Sequence, residues 1–422
     1  MKQSRTMNRA LICLFFLLIN SCINRTVEQE SADTFNRSQF FAIDYEGILK
    51  QQGVVKLSEI ASDIEYVPLE TNEECFLRSV VGYHFTEDYI FVRNYDHILM
   101  FNRRGRFIRR IGKPGRGPGE IGLIRFLSVL DSDKQLVVQN NWVRELYYFN
   151  YEGEFIKSDK VEDVYKIIAL PKDRFLLHQN CINGNENYMF AVRNNFGDTL
   201  DVVPNHYKWE NVNGIRGTVS YNEFRPYYKY QGSYSFKTMY NDTVYNFIND
   251  LIRPEYLINL GKYKLPQEYR PEVLDVSPYA LYDEFSRLSK DYRFVSVFEA
   301  SETLFLESHD YSQEHSYNMM FHRMTGEGKT LITGNGLPGG ITNDIDGGID
   351  FWPVGAINDS VVYMPVLPYK MLAEQSLNRL NDSEDRYSGK RRRYQDLVST
   401  LSESGNPVLI IVTLKNQSSH LR

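Results

Sequence analysis

The segment RRIGKPGRGPGEIG, residues 109–122, has a composition typical of loops that bind phosphate. It contains five glycines, two prolines, four cations and one acid. A phosphate-binding loop, however, follows a strand and begins a helix, whereas residues 123–130 have the pattern of a strand. The segment is therefore predicted to carry the chain from one sheet to the next. In that role Arg116 and Glu120 either contact a ligand or form local salt bridges and turn hydrogen bonds.

Three aspartates in NDIDGGIDFW, residues 343–352, offer oxygen ligands for calcium: Asp344, Asp346 and Asp350. Their spacing lacks the alternating acids and the twelfth-position Glu of an EF-hand loop. From Asp346 onward the segment is similar to the aspartate box of sialidase-like propellers, although Asp344 stands where that box has Ser or Thr. The alternative to calcium is a turn in which Asx side chains bind their own backbone. No other cofactor is predicted.

Aromatic residues that accompany charges form a third group. The tyrosine-rich segment YNEFRPYYKYQGSYSF, residues 221–236, contains two of them. Aromatic faces stack on sugar rings and on cations, so these residues are predicted either to contact a glycan or peptide or to pack within the sheets. The members of the group are Asp96, Trp142, Arg144, Tyr227 and Tyr228.

Local signatures of catalysis do not occur in the sequence. GxSxG and HExxH are absent, and the eight histidines are scattered singly. A zinc ion held by histidines from distant segments, as in NHL-type lyases, has no local spacing by which to recognise it. A hydrolase or lyase, metal-dependent or not, therefore stays the alternative to a binding protein.

The composition is that of a folded, strand-rich protein. Of 422 residues 42% are hydrophobic and 14% aromatic, with 30 tyrosines, and the net charge is −6. Aromatic residues favour strands, and an acidic balance lacks the basic footprint of a nucleic-acid-binding protein. After removal of an N-terminal segment, only Cys75 and Cys181 remain as candidates for either one disulfide or two separate thiols.

The N-terminal residues have the features of a bacterial lipoprotein signal. Lys2, Arg5 and Arg9 precede a short apolar run that ends in Ile19-Asn20-Ser21-Cys22, which resembles a lipobox. We expect a signal peptide at 1–21, lipidation of Cys22, which attaches the chain to the membrane, and a flexible tether at 22–44. The resemblance to a bacterial lipoprotein signal also implies that, because no acidic cluster follows Cys22, attachment to the outer membrane facing the periplasm is favoured over surface exposure, which stays open.

Repeats of blade length organise the rest of the chain. YIFVRNYDHILMFNRRGRFIRRIG (89–112) and QLVVQNNWVRELYYFNYEGEFIKS (135–158) share strand, turn and Phe-Asn positions at an offset of 46 to 48 residues, within the period of propeller blades. Looser units continue to residue 415 and are interrupted by predicted helices near 277–290 and 369–404. The sixth unit lacks its outer strand, and Ile64–Leu69 is predicted to supply it near Ile411 and so close the ring.

These segments carry a resemblance to a known family. VKLSEIASDIEYVPLET, DHILMFNRRGRFIRRIGKPGRGPGEI and NDIDGGIDFWP resemble the six-bladed β-propeller lipoproteins of Bacteroidetes, which are related in pattern to NHL-repeat propellers. The likeness covers residues 45–415 and is weakest at 205–290. It implies an all-β, six-bladed β-propeller of four-stranded blades, with a tail at 416–422, and it implies no activity.

The function predicted from these observations is binding without catalysis. The channel mouth of the propeller would bind a glycan, a peptide or an envelope protein. A hydrolase or lyase in the same funnel, and a structural subunit of an envelope complex, are the alternatives. No nucleic acid is expected as a partner.

Overall fold

The computed structural model describes residues 40–117, 119–141, 143–162, 164–179, 181, 184–209, 227–277, 279–376 and 388–415. In these residues the chain forms six sheets of four or five strands and one two-stranded ladder. The prediction of an all-β, six-bladed β-propeller is confirmed. The predicted signal peptide, Cys22, most of the tether and the tail at 416–422 lie outside the described residues.

The N-terminal region and the first three blades follow the chain. The N-terminal elements are β1 Phe41–Asp44, α1 Tyr45–Lys50, β2 Gln52–Gly53, α2 Leu57–Ile60 and β3 Ala61–Pro68. Blade 1 is β4 Gly82–Phe85, β5 Tyr89–Arg93, β6 Ile98–Asn102 and β7 Phe107–Ile111. The ladder is β8 Lys113–Pro114 and β9 Glu120–Ile121. Blade 2 is β10 Ile124–Leu130, β11 Gln135–Asn140, β12 Glu145–Asn150 and β13 Phe155–Lys160. Blade 3 is β14 Lys166–Leu170, β15 Arg174–His178, β16 Tyr188–Asn194 and β17 Thr199–Pro204.

The remaining blades contain the helical insertions. Blade 4 has β18 Tyr227–Tyr230, β19 Ser233–Phe236, β20 Thr243–Ile248 and β21 Leu251–Asn259. Blade 5 has β22 Phe294–Ala300, β23 Thr303–His309, β24 Ser316–His322 and β25 Gly328–Leu331. Blade 6 has β26 Gly355–Ala356, β27 Val361–Val366 and β28 Val408–Leu414. The longer helices, near both predicted insertions, are α3 Leu281–Ser289, α4 Pro368–Ser376 and α5 Ser388–Thr400. Short 3-10 turns occupy Asp131–Asp133, Gly261–Tyr263, Gln267–Tyr269 and Pro271–Val273.

Blade 6 is completed from the N-terminus, as predicted. Strand β3 pairs antiparallel with β28, and Tyr66 lies opposite Ile410. Val67 and Leu409 then pack with Ile90 and Phe101 of blade 1 in one hydrophobic core. The two ends of the chain thus join the last blade to the first.

A second N-terminal contribution was not predicted. Strand β1 pairs in parallel with the outer strand β21 of blade 4, and β2 pairs in parallel with β25 of blade 5. Residues 41–60, named here the strap, therefore cross the outer edges of two blades before β3 enters the third. Strand β1, Phe41–Asp44, lies inside the segment that the sequence assigned to the tether, and its pairing partners are on a distant blade edge.

The two faces of the ring differ in the length of their connections. Turns after the first and third strands of a blade are short, and Asn249-Asp250 and Ser301-Glu302 form two-residue hairpins with positive φ at both positions, which suits the twist of a hairpin. Connections after the fourth strands, such as 112–123, 260–293 and 332–354, are much longer, and they leave on the same side as the connections after the second strands, of which 367–407 is the longest. We name these sides the turn face and the loop face. None of the helices in the described ranges is both long and apolar enough to cross a membrane.

Candidate functional site

The channel mouth on the loop face is formed where the first strands of the blades meet. Strand β10 contacts β14, and β18, β22 and β26 contact one another. Arg93, the last residue of β5, extends from blade 1 to blade 2 and donates from Nη1 to the carbonyl oxygens of Ile124 at 3.2 Å and Arg125 at 3.0 Å. Tyr227, the first residue of β18 in blade 4, packs against Phe126 with ring centroids 5.2 Å apart. Side chains of blades 1, 2 and 4 thus converge at one place.

Electrostatic effects connect the residues at this mouth. Burial, with a smaller contribution from the Arg93 charge, lowers the pKa of His84 to about 3. Its imidazole is therefore neutral at neutral pH. Burial raises the pKa of the Tyr227 hydroxyl, while the nearby Arg93 acts in the opposite direction. The mouth therefore holds one guanidinium charge beside a neutral imidazole and a neutral phenol.

Further cations lie between blades 2 and 3. The guanidinium of Arg125 lies 5.3 Å from the ring centroid of Tyr165, and Lys166 Nζ lies 4.8 Å from the same ring. Arg125 Nε also donates to Asn141 Oδ1 at 2.7 Å. Cation–π contacts of this kind hold charged side chains in place, so this side of the mouth presents fixed positive charge.

The mouth is stiffened by a hydrogen-bonding device that recurs in several blades. At the end of the second strand of blade 2, Gln139 donates to the Val164 carbonyl and accepts from Ile167 N–H in blade 3. After the second strand of blade 4, Lys237 donates to the carbonyl of Val295 in blade 5 at 2.9 Å. Arg93 makes the equivalent contact from blade 1 to blade 2. Each of these polar side chains therefore joins neighbouring blades at the rim of the channel.

The Gly-rich segment forms the predicted crossover between blades 1 and 2. Lys113 and Pro114 pair in parallel with Glu120 and Ile121. The Glu120 carboxylate folds back and accepts from Gly117 N–H at 2.8 Å. A Cβ on Gly115 would lie 2.0 Å from Glu120 Oε2, so glycine is needed there for the close approach. Glu120 thus holds the loop, and Arg116 is exposed on it.

The other predicted ligand residues lie at several depths. Asp96 is on the loop face, with Oδ1 2.5 Å from His97 Nδ1. Arg144 is exposed and has a φ of 53°. It lies in the connection of blade 2 that corresponds to the connection of blade 1 containing Asp96. Tyr228 is buried, and its hydroxyl lies 2.7 Å from that of Tyr256 inside blade 4. Trp142 lies outside the described residues. The structure thus brings Tyr227 to the mouth and places its neighbour Tyr228 in the core.

Two of the three aspartates of residues 343–352 connect this segment to β3 and the strap. Asp344 accepts from Ser58 Oγ at 2.5 Å. Asp346 is buried and accepts from Tyr66 OH at 2.9 Å and from Asn343 Nδ2 at 2.8 Å. Burial raises the pKa of Asp346 despite these hydrogen bonds.

The same segment also binds its own backbone, and its acids do not assemble into a metal cluster. Asn343 Oδ1 accepts from Ile345 N–H at 3.3 Å, as in an Asx turn. Asp350 is half-buried near the end of the segment. Among the described side chains no group of three or more His, Cys, Asp or Glu residues is placed to hold a metal ion.

Cys75 and Cys181 are two free thiols.

Sequence reasoning missed the two residues that define the mouth, His84 and Arg93. Each is a single polar residue in an otherwise apolar strand. His84 is the third residue of GYHF, and Arg93 is the last residue of YIFVR. A charged residue that ends a buried strand was the available signal. Without the ring, nothing indicated which strand ends face the channel.

Exposed apolar side chains are concentrated on the loop face of the described structure. Tyr279 is 95% exposed and Tyr282 61% exposed on the connection between blades 4 and 5. On the turn face, Phe196 is 85% exposed. The exposed residues on the loop face are Phe76, Val81, Tyr95, Val143, Tyr279, Tyr282, Leu337, Leu367 and Tyr369, against Phe196, Ile248, Leu251 and Met324 on the turn face. Five more, Phe40, Val54, Phe155, Ile156 and Val202, lie at the N-terminus, in the strap and on outer strands.

Comparison with solved structures supports the architecture. A protein of Bacteroides fragilis described as exported aligns with a TM-score of 0.67 and 16% identity over 89% of this chain and 100% of its own. A DUF4221 family member from Bacteroides vulgatus reaches a TM-score of 0.45 at 12% identity, covering 86% of this chain and 99% of its own. Virginiamycin B lyase from Staphylococcus aureus reaches 0.34 at 11% identity, covering 65% and 75%.

Comparison with families and curated proteins completes these findings. No curated protein matches the sequence. The family model described as a domain of unknown function, DUF4934, matches residues 40–413, a range that includes the strap, all six blades and the closing strand. The chain therefore belongs to the DUF4934 family.

Proposed function

We propose that this chain is an exported, lipid-anchored propeller that binds a glycan, peptide or protein partner with its loop face and does not catalyse a reaction. The observation that carries the proposal is the concentration of exposed aromatic and aliphatic side chains on that face. Patches of this kind mark interaction sites, and aromatic anchors supply much of the energy of interfaces.

The architecture supports the same face. The turn face consists of tight hairpins, while the loop face carries long connections on a rigid ring, the usual arrangement for binding loops. Fixed cations at the channel mouth add a charged centre to the apolar surroundings. A partner that covers the loop face would therefore meet apolar contacts at the rim and positive charge in the middle.

Array binding with matched variants tests this proposal. The full chain is applied to a glycan array and a peptide array, and the double variant Tyr279→Ala, Tyr282→Ala is compared with Phe196→Ala on the turn face. We expect the double variant to weaken the best interaction by at least about tenfold, as for interface anchors, and Phe196→Ala to leave it unchanged. Equal loss in both variants, or turnover of the bound array compound, would contradict binding by this face without catalysis.

Attachment through Cys22 has a separate test. The lipobox-like Ile19-Asn20-Ser21-Cys22 supports it, as does the description of the Bacteroides fragilis structure as exported. We expect the full chain to fractionate with membranes and Cys22→Ser to lose its lipid, seen as a change in mass of the N-terminal peptide. Wild-type protein without added acyl mass at Cys22 would contradict lipidation.

A further inference from the structure

The large apolar side chains exposed on the turn face of the described structure lie on three consecutive blades. All of them are in or beside the turn between the third and fourth strands of a blade. They are Phe196 in blade 3, Ile248 and Leu251 in blade 4, and Met324 in blade 5. The corresponding turns of blades 1 and 2 read RRGR at 103–106 and YEGE at 151–154, and the tyrosine of the second is buried. One side of the turn face is therefore apolar at its hairpin tips and the other side is charged.

Polar contacts join the three apolar tips into one surface. Arg174, which begins β15 of blade 3, donates from Nε and Nη2 to the two carboxylate oxygens of Asp250 in the β20–β21 turn, both at 2.9 Å. Arg323, in the β24–β25 hairpin, donates to Glu255 of β21 at 3.0 Å. The turns of blades 3, 4 and 5 are thus neighbours, and we name their four exposed apolar side chains the apolar rim.

The chain enters the fold beside this rim. Strand β1 is parallel to β21, and β21 runs from the turn at 249–250 towards the loop face. Phe40, which is 52% exposed, therefore lies on the turn-face side of Phe41. Phe41 and Met324 line the same groove of about 840 Å³ between the strap and blade 5. The entry of the N-terminal strand is thus next to the tip of blade 5 and on the edge of blade 4.

The predicted acylation site is close to this entry in the sequence. Cys22 precedes Phe40 by 18 positions, a length of chain that spans at most about 60 Å. An acyl group at Cys22 would therefore hold the edge of blade 4 near the bilayer. Exposed apolar patches mark protein or membrane interaction sites, and a membrane anchor is strengthened by a second contact with the lipid.

The charges beside the rim have both signs. The exposed members are Lys172, Asp173 and Asp198 in blade 3, Arg253 in blade 4, and Glu327 and Lys329 in blade 5. Three cations and three acids give an anionic headgroup layer little net attraction. Apolar contact is therefore what this surface offers to a bilayer.

We propose that the apolar rim of blades 3, 4 and 5 docks on the surface of the lipid bilayer that anchors Cys22. The inference rests on the lipid attachment in the proposed function and adds an orientation to it. The turn face is directed towards the membrane, and the ring is inclined because the rim occupies only one side of that face. The loop face, on the opposite side of the ring, is directed away from the membrane.

Quenching by brominated lipid tests the docking in the anchored full chain. The protein is reconstituted through its own N-terminal lipid into phosphatidylcholine vesicles with or without brominated phosphatidylcholine. A tryptophan is introduced by Met324→Trp, or by Tyr279→Trp on the loop face as the matched control, and its emission is taken relative to the parent chain. We expect brominated lipid to lower the added emission of Met324→Trp at least about twofold, as for a side chain at the boundary of headgroups and acyl chains. The emission of Tyr279→Trp should not change, and adding phosphatidylglycerol should alter neither result.

A second set of variants distinguishes docking from nearness to the anchor. In the reporter Leu251→Trp, the added substitutions Phe196→Ser and Met324→Ser remove apolar contact and should at least halve the quenching. The added substitutions Tyr279→Ser and Tyr282→Ser, at exposed positions of the loop face, should leave it unchanged. Thermal unfolding checks that all of these chains are folded. Quenching of the reporter that does not depend on Phe196 and Met324 would overturn docking by the rim.

The outcomes separate this inference from the proposed function. An acyl mass at Cys22 together with no quenching of Met324→Trp, or with equal quenching of Tyr279→Trp, would overturn the orientation alone. Lipid attachment and binding by the loop face would then stand. Absence of the acyl mass at Cys22 would overturn both the attachment and the docking that rests on it.

Discussion

Individual polar residues in this protein fall into two groups, those that hold the ring and those that face the channel. Asp346 belongs to the first group, since Tyr66, Asn343 and Gly348 all donate to its carboxylate. Its sequence context suggested a calcium ligand, and calcium binding by Asp344, Asp346 and Asp350 stays a proposal. An Asp346 variant can therefore distinguish a residue that holds the ring from a calcium ligand.

Asp346→Asn should stabilise the protein at neutral pH. Burial raises the pKa of Asp346 in the folded state, so its contribution to stability is full below the pKa of the unfolded chain and is lost as pH rises through the folded pKa. Each unit by which the pKa is raised lowers the free energy of unfolding at neutral pH by about 1.4 kcal/mol. Asparagine does not ionise, so the variant has no such loss. In urea unfolding at pH 7, the free energy of unfolding of Asp346→Asn should therefore exceed that of the wild type. This difference should disappear as the pH falls to about 4.

Two measurements control this expectation. Tyr66→Phe removes a donor and leaves the carboxylate, so it should lower the free energy of unfolding by about 1–3 kcal/mol. If calcium raises the stability of the wild type and Asp346→Asn is destabilised at both pH values, the carboxylate is a metal ligand and its structural role is secondary.

At the scale of elements, the strap is held in the fold by buried side chains and side-chain hydrogen bonds. Tyr45 is fully buried, its hydroxyl lies 2.7 Å from Ser308 Oγ of blade 5, and its ring meets Tyr263 edge-on. Thr330 Oγ1 donates to the Ile48 carbonyl. Parallel pairing of β1 and β2 also covers the outer strands of blades 4 and 5, which would otherwise be unpaired sheet edges.

Truncation of Tyr45 should reveal the contribution of the strap. Tyr45→Ala removes a buried ring and is expected to lower the free energy of unfolding by about 3–5 kcal/mol. Tyr45→Phe keeps the ring and should lose only about 1 kcal/mol. Val54→Ala, at an exposed position of the same strap, is the control and should change stability little in denaturant titrations. Equal small effects for all three variants would show that the strap is not coupled to the blades.

At the scale of the whole molecule, ring closure couples blades 1 and 6. Val67 of β3 is buried in the core that these blades share, together with Tyr363 and Leu409. Blade contacts are local elsewhere, since each blade packs mainly against its neighbours. Closure by β3 is therefore the step that makes a linear series of blades into one cooperative unit.

Val67→Ala should loosen the ring at one specific place. We expect amide hydrogen exchange to accelerate in blades 1 and 6 and the free energy of unfolding to fall by about 1–3 kcal/mol. Val137→Ala, in the core between blades 2 and 3, is the matched control and should accelerate exchange there instead. Identical exchange patterns in the two variants would contradict a local closure.

Much of the fold was predictable because the strand-and-turn pattern of a blade repeats along the sequence. The match of Phe101-Asn102 to Phe149-Asn150 gave the blade period, and residues 351–415 were one strand short of a blade. The Gly-rich crossover was predictable because a strand, not a helix, follows it. The strap was not predictable, since Phe41–Asp44 has no repeat and pairs with residues more than two hundred positions away.

The candidate site was predicted only in part. Tyr227 lies at the mouth and its ligand contact stays a prediction, whereas its neighbour Tyr228 is buried, because adjacent strand residues face opposite sides of a blade. Glu120 folds onto its own loop. Arg93 and His84 carried no motif, and their proximity at the channel mouth comes from the pairing of β4 with β5.

The sequence by itself determined the strand pattern, the number of blades and the closing strand, since local spacing and the need to bury apolar faces are written in adjacent residues. Only the tertiary structure decided where the strap docks, which face carries the long connections and which side chains meet at the channel mouth. The physical reason is that a propeller assembles its centre from strand ends that are far apart in the chain, so the contacts between them leave no local signal in the sequence.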